Sequence, residues 1–72
     1  MRKNTKVIGT HVLRLRKKSG LTQAELADKA GLNKNTVCWL ETGKMKSVQF
    51  STLEMIADVL GVPVARLLKG VR

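Results

Sequence analysis

Apolar residues recur along the chain at helical spacing, and they do so in five short stretches. In the first, Ile8, Val12, Leu15 and Ser19 fall on one face at steps of four, three and four, with Arg14, Lys17 and Lys18 on the other side. Asn4 or Thr5 can cap its start, and Gly20 ends it. The second stretch opens with Thr22-Gln23-Ala24-Glu25, a capping box in which each side chain satisfies a backbone N–H of the other residue. Leu26, Ala27 and Ala30 form its inward stripe, the alanines leaving room for a neighbouring helix, and Gly31 closes it. Asn33 suits the N-cap of the third, Val37 and Leu40 make its core stripe, and Gly43 stops it. Residues 44–50 then read as a basic connecting loop. Ser51-Thr52-Leu53-Glu54 predicts a second capping box, opening a helix with Leu53, Ile56, Ala57 and Leu60 on one face. Pro63 suits the first turn of a last helix that carries Val64, Leu67 and Leu68 and ends at Gly70. No stretch sustains a period of two, and no Asn-Gly or Asp-Gly marks a hairpin. The pattern predicts an all-α, compact five-helix fold.

Length and composition narrow this further. The 72 residues are enough for one domain, spanning 1–72. The apolar fraction of 43% can supply a core, which argues against disorder. Trp39 and Phe50 are the only aromatic residues, so the core must be aliphatic, with Phe50 as an expected plug. One cysteine, Cys38, allows no intrachain disulfide, and with the single histidine, His11, it falls short of a zinc set. No metal, cofactor or small-molecule ligand is implied. No apolar run approaches the roughly 18 residues of a membrane span, and the start lacks the apolar stretch of a secretory signal. A cytoplasmic setting is expected.

Charge changes the picture most. Fourteen Lys and Arg stand against five Asp and Glu, a net +9. Seven of the cations (Arg2, Lys3, Lys6, Arg14, Arg16, Lys17 and Lys18) precede the first acid, Glu25, and residues 1–5 read as a basic arm. Such self-repulsion in a small domain points to an anionic partner, nucleic acid or a membrane surface. The membrane fits poorly, because basic and apolar residues are spread over several capped helices instead of one long amphipathic one.

The short turn Gly31-Leu32-Asn33 joins the second and third helices as a helix-turn-helix does. Together with IGTHVLRLR (8–16), GLTQAELADKA (20–30), GLNKNTVCWLETGK (31–44) and LEMIADVLGVPVARLL (53–68), it resembles the lambda-repressor-like helix-turn-helix family of phage repressors, Cro proteins and small bacterial regulators. The resemblance covers nearly the whole chain. It implies a sequence-specific transcriptional regulator on double-stranded DNA, with a recognition helix at about 33–41 in the major groove.

Periodicity turns Asn35, Cys38 and Trp39 outward on that helix, with Lys34 at the N-terminal flank. Lys34 can donate to guanine and Asn35 can pair with adenine. These four are the expected base contacts, although a solvated helix face would show the same polarity. The resemblance implies that Gln23 contacts a phosphate and helps orient Lys34. Thr22, Asn33, Thr36, Lys44 and Lys46 are further expected backbone contacts. It also implies that Arg16 and Glu41 tie the first helix to the third. Trp39 departs from the family, which usually carries a polar or basic residue there; thymine methyls, neighbouring side chains or a protein partner could each cover it. Cys38 reads as a small filler near the DNA face.

A homodimer on a palindrome is expected, since one recognition helix reads only a few base pairs. Val64, Leu68 and Val71 are the candidate interface residues; the competing reading has them completing the monomer core. The alternative function is a protein-interaction module on the same fold, antitoxin-like or coactivator-like. An enzyme is not expected: no second acid or base stands at a compatible spacing from Glu41.

Overall fold

The computed structural model describes residues 2–70, with side chains described from residue 5 onward. Among the described residues five helices follow one another: α1 Arg2–Lys18, α2 Gln23–Ala30, α3 Lys34–Thr42, α4 Phe50–Leu60 and α5 Val64–Leu67. No strand occurs among the described residues. The core is aliphatic, built from Ile8, Val12, Leu26, Ala27, Val37, Leu40, Leu53, Ile56, Ala57 and Leu67. α3 packs between α1 and α2, while α4 closes the other side and carries α5 back against α1.

The helix ends follow from capping chemistry in most places. Thr22 and Glu25 form the reciprocal box at the start of α2, with bonds of 3.0 and 2.9 Å. Asn33 Oδ1 accepts from the Asn35 N–H at 2.8 Å at the start of α3. The glycines after α2 and α3 hold φ of 71° and 78°, the left-handed conformation that reverses the chain there.

Several ends differ from expectation. α1 starts at Arg2, so Asn4 and Thr5 are not its cap and residues 2–5 are helix, not an arm. Nothing in that stretch breaks a helix, and burying Thr5 to 4% exposure carries the inward face back one turn, to Thr5, Ile8 and Val12. Ser19 is exposed beyond the end of the helix, not on its inward face. The expected capping box at 51–54 does not form. α4 begins at Phe50 with Gln49 as N-cap and no side-chain cap bond, which puts Ser51 inside the first turn. Phe50 is 53% exposed instead of plugging the core, and Met45 and Val48 from the connection pack against the core instead. Pro63 stands at the N-cap of α5, and that helix is one turn long.

Gly9 is the residue whose role the hydrophobic pattern hides. It is buried at the crossing of α1 and α3, where a Cβ would collide with the Leu40 carbonyl. Its missing side chain sets how closely the two helices approach. An isolated glycine inside an otherwise helical pattern was the available signal.

Candidate nucleic-acid interface

α3 buries Val37 and Leu40 and presents the opposite face to solvent. At about 100° per residue, Lys34, Asn35, Cys38 and Trp39 share that outer side. Lys34 and Asn35 are exposed, Cys38 is half-buried, and Trp39 leaves 49% of its surface open. Thr36 is half-buried at the edge of the face. Thr42 closes its C-terminal end, its hydroxyl 2.9 Å from the Cys38 carbonyl and 3.3 Å from that of Trp39. Asn33 is exposed at the start of the helix, with its side-chain oxygen committed to the cap.

A polar cluster fixes α3 relative to its neighbours. Arg16 Nε donates to Glu41 Oε2 at 2.7 Å and Arg16 Nη2 donates to Glu41 Oε1 at 2.9 Å, a two-point fork. Arg16 Nη1 donates to the Leu21 carbonyl at 2.8 Å. Gln23 Nε2 donates to Glu41 Oε1 at 2.9 Å. One cluster thus joins the last turn of α1, the α1–α2 connection, the first turn of α2 and the last turn of α3. The Arg16 and Glu41 side chains are 10% and 2% exposed, so neither is solvated enough to stand without its partner. The bond to Glu41 holds the arginine's pKa above its ordinary value, against the opposing pull of burial. The arginine's share of the pair therefore contributes to folding while the guanidinium is charged, and that share is lost only as pH rises above the range in which a free arginine deprotonates. Gln23 is expected to steady Lys34, but here its amide is tied to the ion pair.

Around the face lie the expected phosphate contacts. Thr22 is exposed at the start of α2. Lys44 and Lys46 are exposed in the connection that follows Gly43. That connection folds back on α3, the Lys44 N–H donating to the Trp39 carbonyl at 2.9 Å, so Lys44 sits at the helix end. Val64 and Leu68 are half-buried against the core, some distance along the chain from this face, and Val71 lies outside the described residues. His11 bonds the Lys69 carbonyl through Nε2 at 2.8 Å.

A helix-turn-helix domain family matches residues 7–68, nearly all of the chain. Solved relatives agree. SinR, known from Bacillus subtilis and described as the master regulator for biofilm formation, is 34% identical in its complex with DNA; the match covers 86% of this chain and 98% of that one, with a TM-score of 0.83. In its complex with SinI, SinR is 33% identical over 88% of this chain, with a TM-score of 0.84, and this chain spans 61% of the SinR length there. The restriction-modification controller C.AhdI from Aeromonas hydrophila is 26% identical over 90% of this chain and 97% of its own, with a TM-score of 0.85. The fold and these matches define a DNA-binding helix-turn-helix regulator. The chain belongs to the lambda-repressor-like helix-turn-helix family.

Proposed function

We propose that this chain is a sequence-specific transcriptional regulator that binds a palindromic DNA operator as a homodimer, with α3 in the major groove. The observation that carries the reading is the outer face of α3, polar at its N-terminal end and held rigid by the Arg16–Glu41–Gln23 cluster. Lys34 and Asn35 lead the helix into the groove and meet base edges, while Trp39 covers thymine methyls one turn on, with Cys38 beside it. Thr22, Gln23, Asn33, Thr36, Lys44 and Lys46 ring this face and set the register on phosphates. Val64, Leu68 and Val71 join the two copies.

A protein-binding role on the same fold has one observation in its favour, the open surface of Trp39, Phe50 and Met55; SinR also forms a complex with a protein, SinI. Selection of duplexes from a randomised pool decides between the two. A recovered palindrome whose half-sites lose preference in Lys34→Ala or Asn35→Ala supports the operator reading, and a pool that stays random removes it.

A further inference from the structure

A hollow of about 270 Å³ opens between α1 and the α5 segment, lined by His11, Arg14, Leu15, Arg66 and Lys69. Three of the five side chains are those of arginine or lysine, a fourth is an imidazole, and none is acidic. Arg14, Arg66 and Lys69 are exposed, and among the described residues none of them has an acidic partner. The hollow belongs to a different face from the DNA-binding surface. On α1, Gly9 and Arg16 are two turns apart and both face α3. His11, Arg14 and Leu15 lie on the opposite side of the same helix. The His11 bond to the Lys69 carbonyl pins the two walls together, and since a carbonyl only accepts, Nε2 carries the proton.

Like charges gathered around a concavity without a counter-charge raise the local potential and attract anions. Guanidinium forks match the oxygens of a phosphate better than a point charge does. The volume falls just below the roughly 300–1,000 Å³ of pockets that take drug-sized molecules. It suits a compact, highly charged group and leaves no room for a bulky apolar one. We propose that this hollow binds a di- or triphosphate group, either free or as the phosphate end of a nucleotide, on the side of the domain turned away from the recognition helix. Such a ligand bridges Arg14 on α1 to Arg66 and Lys69 on the α5 segment and strengthens the docking of that segment.

The test is an amide NMR titration of the full chain with inorganic triphosphate and, separately, with a nucleoside triphosphate. Two double variants of equal charge change accompany it: Arg14→Gln with Arg66→Gln, and Lys44→Gln with Lys46→Gln. The expected result is saturable shifts around residues 11–15 and 63–70. Affinity should fall about tenfold per arginine removed and stay nearly unchanged in the lysine variant. Tighter binding of the nucleotide makes that the natural ligand class; equal binding makes it free polyphosphate. Equal loss in both double variants would show only diffuse attraction to a cationic chain and overturn the proposal. So would shifts centred on α3, or an arginine variant that keeps triphosphate binding while losing affinity for duplex DNA.

Discussion

Within the interface, two kinds of residue carry opposite consequences. Lys34, Asn35 and Trp39 lie on the outer side of α3, away from its buried stripe, so replacing them tests readout. Lys34→Ala, Asn35→Ala and Trp39→Ala should each relax preference at particular base pairs by roughly 1–3 kcal/mol, measured by competition between matched and single-mismatch duplexes. Lys44→Ala and Lys46→Ala should weaken all duplexes alike and lower the salt slope by about one each. Equal losses on matched and random DNA from the α3 variants would mean that the wrong face has been assigned. Glu41 is of the other kind. Glu41→Ala strands the Arg16 guanidinium in a site where its side chain is only 10% exposed and frees the Gln23 amide. Loss of one partner from a buried pair costs about 3–5 kcal/mol, against roughly 4–11 kcal/mol of total stability on per-residue scaling. Urea denaturation should show a loss of that size, about a quarter or more of the folding free energy; a change below about 1 kcal/mol would place the pair among weak surface bridges.

At the level of elements, the crossing of α1 and α3 makes the sharpest demand. Gly9→Ala would raise helix propensity by about 1 kcal/mol at an exposed site. Here the added methyl meets the Leu40 carbonyl, and the helices must part. Overpacking of this kind costs typically 1–3 kcal/mol, so the net effect should be a lower melting temperature, and a stabilised variant would show that α1 and α3 are not in close contact. This demand was hard to read in the sequence because hydrophobic periodicity records which side chains are buried, and glycine has none. Elements with both a periodic stripe and local capping chemistry were legible: α2 and α3 begin and end where Thr22, Gly31, Asn33 and Gly43 say. The start of α4 differs because Ser51 and Glu54 have the spacing of a capping box, whereas the helix begins at Phe50 with Gln49 as N-cap and no side-chain cap bond. The outer face of α3 followed from periodicity alone, but the Arg16–Glu41 pair did not. Its partners are 25 residues apart, and only the family resemblance brought them together.

The whole molecule sets the last requirement. Its described part measures 28 × 22 × 20 Å, less than the roughly 34 Å between successive major grooves on one side of the duplex. Under the proposed function the described part of one copy is too short to span two such grooves, which is why a palindrome calls for two copies. If the pair neutralises about six to ten phosphates, affinity falls on the order of 10³–10⁵ between roughly 50 and 200 mM salt; a flat response would turn attention to a protein partner. The candidate contact between copies is the α5 segment, where Val64 and Leu68 are only half-buried against their own core. Completing their burial in a second copy adds apolar area without opening the core. Because Leu68 also packs internally, Leu68→Lys costs some monomer stability, and thermal melts by circular dichroism must establish that the variant is folded at the working temperature. Sedimentation and binding to two duplexes then separate the roles. The folded variant should sediment as a monomer where the wild type associates, bind an isolated half-site nearly as well, and lose affinity for the full palindrome. If wild type and variant both stay monomeric at high micromolar concentration and bind the palindrome equally well, the copies meet elsewhere or are paired only by the DNA.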